Sequence, residues 1–191
     1  MQAQLQNMKS KIIIAVLFCM NGILCRSQDT TAIPAAPADK AIVYFARTSF
    51  LFMAINFSYF DSATLIGTSF GKNYIRYECL PGNHIFWAFS ENRDFVEAEL
   101  EAGRIYFIEV IPQLGAFARV KLQPINPADE KSSKRVADLI IKKEAKTFTP
   151  EKLAAETETL QHRIERGLER YRKIKEKGKE ISKLEKTWYY K

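Results

Sequence analysis

Side chains that could carry acid–base or nucleophilic chemistry are few in this chain of 191 residues. A nucleophile needs a base beside it and a third group that orients the base, and only two histidines, His84 and His162, are available. His84 follows a Pro-Gly turn and begins an aromatic segment, which favours a structural role. His162 lies in a basic helical segment, where we expect it to face solvent. The sequence therefore predicts no catalytic residue and a protein that is not an enzyme.

Carboxylates and cysteines give no further catalytic or metal-binding pattern. Residues 96–100 alternate apolar and acidic, so Glu97 and Glu99 are expected to point outward from a strand, where negative charge opposes edge-to-edge aggregation. Cys79 alternates inward with Tyr77, which predicts a buried, small hydrophobic residue rather than a reactive thiol. No Cys/His cluster has metal-ligand spacing, and no glycine-rich phosphate loop occurs. We therefore predict no cofactor and no metal.

The first 27 residues have the layout of a secretory signal peptide. Lys9 and Lys11 precede the apolar run 12–24, which is shorter than the roughly 20 residues that span a bilayer. Small residues at Cys25 and Ser27 predict cleavage near Ser27. Cys25 could instead be the acylated cysteine of a lipoprotein, although the bulky Leu24 before it argues against this. The mature chain is thus predicted to be exported to the periplasm or outer membrane, without a transmembrane helix.

A run of basic side chains between residues 163 and 179 is the clearest sign of a binding surface. It supplies four candidate interaction residues, Arg163, Arg166, Arg170 and Lys173. No base-reading motif or aromatic-interleaved basic groove accompanies the run, so nucleic acid is not a predicted partner. In an exported protein the expected anionic partner is a phosphate-bearing lipid headgroup or an acidic envelope protein. The alternative is a solvated, charge-laced helix face.

Aromatic residues give a second candidate surface. The segment Phe50-Leu51-Phe52-Met53 predicts an exposed apolar loop that contacts another protein, with Phe50 and Phe52 as interaction residues. Trp188 is expected to anchor the C terminus on the domain or on a partner. A two-sheet core is the default explanation for the wider aromatic set, with a glycan- or peptide-binding surface as the alternative. That set is Phe50, Phe52, Phe70, Tyr74, Trp87 and Phe117.

The elements that would position these residues begin with a β-domain. Loss of the signal peptide removes three basic residues and lowers the net charge from +7 to +4. Residues 28–39 are an Ala/Pro-rich linker. Short alternating segments separated by Gly, Pro, Asn and Asp then predict, over residues 40–125, an antiparallel β-sandwich of about seven to eight strands. The strands are centred on residues 42–45, 55–59, 64–66, 75–79, 85–89, 96–100, 106–110 and 118–122.

The β-domain also resembles a known family. The segments that carry the resemblance are AIVYFAR, YECLPGNHIFWAF, VEAELEAGRIYFIEV and FARVKLQPI. Over about residues 40–125 the chain resembles the bacterial family called domain of unknown function 2846, which contains exported proteins and lipoproteins. The resemblance implies a compact β-sandwich and an exported location. It implies no chemistry, because the family carries no established activity.

The C-terminal segment, residues 126–191, is predicted to be a helical tail. Asn126-Pro127 indicates the start of a short helix, and Thr149-Pro150-Glu151 the start of a long basic one. Apolar residues recur at spacings of three, four and seven from Leu153 to Trp188, which predicts an amphipathic helix of about 30 residues. This helix folds back on the sandwich, breaks near Gly178, or pairs with a second copy in a coiled-coil homodimer.

Taken together, these patterns predict an exported, non-enzymatic β-sandwich protein of the bacterial cell envelope. Its basic helical tail is expected to mediate association with an envelope protein or an anionic surface. A glycan- or peptide-binding module that uses an aromatic surface of the sandwich is the alternative, and an envelope hydrolase is a third reading.

Overall fold

The computed structural model of the chain describes residues 32–115 and 118–191. The predicted signal peptide, the cleavage site near Ser27 and the candidate lipidation site Cys25 lie outside the described residues, as does Phe117. These described residues belong to one compact unit.

Eight strands follow one another in the first part of this unit, at the positions that the alternation predicts. They are β1 (Ala41–Arg47), β2 (Phe57–Asp61), β3 (Thr64–Ser69), β4 (Asn73–Cys79), β5 (Gly82–Phe89), β6 (Arg93–Leu100), β7 (Ile105–Gln113) and β8 (Arg119–Pro124). Two helices and two short strands complete the chain: α1 (Glu130–Lys142), α2 (Pro150–Glu176), β9 (Ser182–Leu184) and β10 (Tyr189–Tyr190).

The strands form two sheets of five, so the predicted mainly-β sandwich with C-terminal helices is confirmed. The first sheet has the order β10-β7-β1-β4, with β8 also paired to β7, and the second has the order β3-β2-β5-β6-β9. Most neighbours are antiparallel, but β1 pairs with β7 and β6 with β9 in parallel. The prediction of antiparallel pairing missed these two pairs, because alternation along a strand does not report the direction of its neighbour.

Strand β1 is buried along its whole length and lies between two hydrophobic layers. Val43 and Phe45 face the core between the sheets, whereas Ile42, Tyr44 and Ala46 pack with α1. This double burial explains its unbroken apolar run, which is typical of a strand with both faces covered. Helix α1 therefore covers the outer face of the first sheet.

Helix α1 begins slightly later than Asn126-Pro127. The Asn126 side chain accepts a hydrogen bond from the Ala128 amide and so forms a turn rather than the helix cap. Asp129 is the cap, and its carboxylate accepts from the Ser132 amide at 3.0 Å. Thr149 caps α2 as predicted, with Pro150 in the first turn.

Helix α2 ends at Glu176, so the apolar pattern does not continue to Trp188 as one helix, and the break that the sequence predicts near Gly178 is present. Gly178 adopts φ +61°, and the amides of Gly178 and Lys179 donate to the carbonyls of Lys175 and Ile174. This is the Schellman arrangement that terminates a helix with a left-handed glycine. The chain then adds β9 to β6 and β10 to β7, so the C-terminal segment joins both sheets.

The apolar side of α2 packs on the outer face of the second sheet. Ile164 and Gly167 are buried there, against the layer that contains Phe60, Trp87 and Phe95. The Trp87 ring stacks on Phe60 with ring centroids 4.0 Å apart. This contact covers the apolar face that a coiled-coil homodimer would use, and the helix folds back as one of the three alternatives predicts.

Gly167 is the point of closest approach between α2 and the sheet. A Cβ atom at this position would lie 2.8 Å from each of two ring carbons of Trp87, which is itself fully buried. The helix can therefore sit at this depth only with glycine at position 167.

We expect Gly167→Ala to lower the free energy of unfolding by about 1–3 kcal/mol, because the methyl group overpacks the buried Trp87. In an open helix the same change would instead stabilise the protein by about 1 kcal/mol. Chemical denaturation measures the difference, with the exposed neighbour Glu165→Ala as the control. A Gly167→Ala variant that is more stable than wild type would contradict the close packing of α2 against Trp87.

Candidate interaction surface

A loop of residues 48–56, here called the apolar loop, joins β1 to β2 and displays large apolar side chains. Phe50 is 64% exposed and Met53 51%, with Leu51 and Ile55 less so. Phe70, from the β3–β4 turn at the same end of the sheets, is 57% exposed. The predicted exposed loop is thus present around Phe50, while Phe52 is only half-exposed.

The fully buried Arg47 holds the apolar loop in place. Its guanidinium donates to the carbonyls of Ile55, Leu51 and Phe52 at 2.9, 2.7 and 2.6 Å and lies over the Phe57 ring at 4.3 Å. Burial lowers the pKa of Arg47. Its bonds define the path of the loop, including a left-handed Phe52 at φ +54°, so the apolar side chains project from a fixed backbone.

A groove of about 490 Å³ adjoins the apolar loop and shares Phe50 with it. We call it the lysine groove, since five lysines and a single carboxylate, Asp138, lie in its lining. Among the described residues, no carboxylate forms an ion pair with any of these lysines. The lysines are Lys72, Lys131, Lys134, Lys142 and Lys143.

Two contacts fix the position of the groove relative to the loop. Arg135 of α1 donates to both oxygens of the buried Glu109 at 2.8 and 2.6 Å, and Glu109 also accepts from Thr48 at the start of the loop. Lys72 lies over the Phe50 ring with its ammonium 5.0 Å from the centroid. The loop, β7 and α1 therefore form one connected face.

The predicted basic residues of α2 divide into two groups. Lys173 pairs with Glu169 on the exposed side of the helix. Arg163 lies over the Phe89 ring at 4.7 Å, and Arg93 of β6 lies over the same ring at 5.0 Å. Arg163, Arg166 and Arg170 recur at spacings of three and four and so share one side of α2. Burial and then the positive charges of Arg166, Arg163 and Arg170 lower the pKa of Arg93.

Trp188 does not project from the molecule. It is half-buried, packs against the core between the sheets and directly precedes β10. The sequence predicts that Trp188 anchors the C terminus either on the domain or on a partner, and in the structure it anchors the C terminus on the domain. Among the aromatic residues considered for a glycan or peptide surface, Tyr74 and Trp87 are buried, and Phe50 and Phe70 are exposed.

His84 is held in a polar cluster with Asp61 and Tyr77. Its Nδ1 lies 2.7 Å from an Asp61 oxygen, and its Nε2 lies 2.9 Å from the Leu80 carbonyl. Tyr77 donates to the same Asp61 oxygen at 3.1 Å. Both histidine nitrogens face acceptors, so only the doubly protonated ring satisfies both. The hydrogen bond to Asp61 raises the pKa of His84 accordingly.

Cys79 is buried as predicted and lies near this cluster. Its thiol points to the Ala41 carbonyl at 3.8 Å, and burial raises its pKa to about 12. The thiol is therefore protonated at neutral pH and is not a nucleophile. Glu97, predicted to point into solvent, accepts from Tyr171 and Lys175 of α2 at 2.6 Å each and so helps to hold that helix.

Residues 32–115 and 118–191 contain neither a candidate metal-binding group nor a candidate membrane-spanning helix. No group of three or more His, Cys, Asp or Glu side chains is placed to hold a metal ion. No helix in this part of the chain has the length and apolar character needed to cross a membrane.

Comparison with known proteins gives no match to a family model, to a curated protein or to a solved structure. The resemblance to the domain of unknown function 2846 family thus stays a prediction.

Sequence reasoning missed the lysine groove and Arg93. The groove lysines of α1 recur at helical spacing at positions 131, 134 and 142, a signal that the stronger basic run of α2 obscured. Lys72 and Arg93 join their clusters only through tertiary packing, for which the sequence carries no local signal.

We expect His84 to make stability pH-dependent. Because its folded pKa is raised above the usual value near 6.5, its contribution is complete below about pH 6.5 and is lost as pH rises through the folded pKa. Denaturation of wild type and His84→Gln between about pH 5 and 9 should therefore show the largest stability difference at low pH. His162→Gln is the control for loss of an imidazole, because His162 is exposed. A difference in the free energy of unfolding between wild type and His84→Gln that grows with pH would contradict a charged His84–Asp61 pair.

Proposed function

We propose that this chain is an exported, non-enzymatic protein of the bacterial cell envelope that docks on the anionic surface of a lipid bilayer. The observation that supports this most strongly is the pairing of a fixed apolar loop with a groove of lysines at one face of the molecule. Association through the C-terminal segment is retained in this proposal, because α1 supplies three of the five groove lysines and its C-cap residue, Lys143, a fourth.

The apolar loop would supply the hydrophobic part of the binding energy. Complete burial of one large apolar side chain contributes about 1.5–3 kcal/mol, and Phe50, Met53 and Phe70 are each more than half exposed in the free protein. The backbone under them is already ordered by Arg47, so insertion costs little additional conformational entropy.

The lysine groove would supply the electrostatic part. A basic side chain near an anionic leaflet contributes about 1 kcal/mol, and the groove lysines have no carboxylate partner among the described residues. A single weak signal gives marginal, reversible membrane binding, whereas an apolar anchor combined with a polybasic patch gives stable attachment. The two features lie side by side at Phe50, so one bilayer surface can engage both.

Vesicle co-sedimentation tests the proposal. We expect the protein to bind vesicles that contain phosphatidylglycerol and not vesicles of phosphatidylcholine alone, with binding that weakens between about 50 and 200 mM salt. The double variant Phe50→Ser, Met53→Ser should bind the anionic vesicles about tenfold more weakly or worse, since two inserted side chains are lost.

Leu80→Ser is the matched control, because Leu80 is 63% exposed but lies after β4, at the opposite end of the first sheet from the apolar loop. It should bind as the wild type does. Equal losses for the loop and control variants, or wild-type binding by the loop variant, would contradict docking through the apolar loop. Loop-dependent retention on envelope glycan without vesicle binding would instead favour the glycan-binding alternative.

A further inference from the structure

Three arginines share one side of α2, and a fourth packs on the same Phe89 ring as one of them; we call the four the arginine cluster. Arg93 begins β6, and Arg163, Arg166 and Arg170 lie on α2. Among the described residues, no carboxylate pairs with any of the four and no other side chain hydrogen-bonds to them. The cluster therefore holds concentrated positive charge without a partner in this part of the chain.

The sequence of α2 separates its charges around the helix. At 100° per residue, the three arginines fall within an arc of about 60°, and five glutamates fall within a different arc of about 40°. Those glutamates are Glu151, Glu158, Glu165, Glu169 and Glu176. The sixth, Glu156, accepts from Thr68 of β3. Among the described residues, none of these arginines therefore forms an i, i+4 ion pair of the kind that Lys173 forms with Glu169.

Arg93 is the most constrained member of the cluster. Its guanidinium packs over the Phe89 ring, and its Nε atom is buried without a hydrogen-bond partner among the described residues. A buried donor without a partner on a charged group is costly, so a bound acceptor at this position would be favourable. The Arg163 guanidinium also packs over the Phe89 ring, 4.7 Å from its centroid, so this ring contacts two arginines from different elements.

We propose that Arg93, Arg163, Arg166 and Arg170 form a binding site for a phosphate group. A guanidinium presents a planar pair of donors that matches phosphate oxygens in two-point hydrogen bonds. The Phe89 ring would hold the guanidinium groups of Arg93 and Arg163 in fixed orientations. Arg166 and Arg170 would contribute two further guanidinium groups from α2. This site goes beyond the proposed bilayer docking, since it shares no residue with the apolar loop or the lysine groove.

Phosphate binding is measured first without any membrane. Thermal unfolding and calorimetric titration of the full chain would use inorganic phosphate and pyrophosphate, against sodium chloride at equal ionic strength. We expect phosphate-specific stabilisation, and an affinity about tenfold lower in Arg166→Gln and in Arg170→Gln, because each loses a charge-assisted contact. Both residues are exposed, so neither change should prevent folding.

Arg172→Gln is the matched control, because it removes the same charge from the glutamate side of the same helix. It should bind phosphate within about twofold of wild type. In the absence of phosphate, Arg166→Gln should unfold at a higher temperature than wild type, since it relieves repulsion inside the cluster. Stabilisation by phosphate no greater than by chloride, or equal losses for Arg166→Gln and Arg172→Gln, would overturn the site.

The source of the phosphate is resolved with vesicles that contain phosphatidic acid. Release of the protein from these vesicles by pyrophosphate, together with weaker vesicle binding by Arg166→Gln, would assign a lipid headgroup as the source of the phosphate. Pyrophosphate binding with unchanged vesicle binding would assign a soluble phosphate compound. The Phe50→Ser, Met53→Ser variant should keep its affinity for phosphate in solution, so failure of the bilayer proposal and failure of the phosphate site are read separately.

Discussion

The contact between Gly167 and Trp87 sets the position of the whole C-terminal half of the domain. Because no Cβ atom intervenes, α2 approaches the second sheet closely enough to cover Trp87, Phe60 and Phe95. This close approach also brings the side chains of Tyr171 and Lys175 to 2.6 Å from the Glu97 carboxylate. From there the Schellman turn at Gly178 returns the chain to pair with β6 and then β7. A segment that reads as an appendage is thus part of both sheets.

Burial of the apolar side of α2 leaves its charged sides to define the surface chemistry. One side of the helix carries glutamates and the other carries the arginines that join Arg93. Helix α1 covers the opposite sheet and presents its lysines beside Phe50. Both helices therefore combine a packing role with a basic surface.

The sequence predicts the eight main strands because most of them alternate with period two, as in β6 and β7, and because β1 is an unbroken run of β-forming apolar residues. It also predicts the start of α2, where Thr149 and Pro150 give a strong local signal. It could not predict β9 and β10, since segments of three and two residues are too short to show a period. Glycine weakens a helix interior, and only the contact with the Trp87 ring explains Gly167. The lysine groove and the arginine cluster depend on residues from separate elements, so their assembly follows from packing and not from local pattern.

The central claim is that one face, formed by the apolar loop and α1, contacts an anionic bilayer. Hydrogen–deuterium exchange of the full chain, with and without phosphatidylglycerol vesicles, tests it without any substitution. The account predicts that vesicles slow exchange in residues 48–56, in the β3–β4 turn around Phe70 and in residues 130–143, while the turn at residues 80–83 is unchanged. Slower exchange that is confined to the turn at residues 80–83, or no change in the apolar loop when the protein is bound, would contradict it.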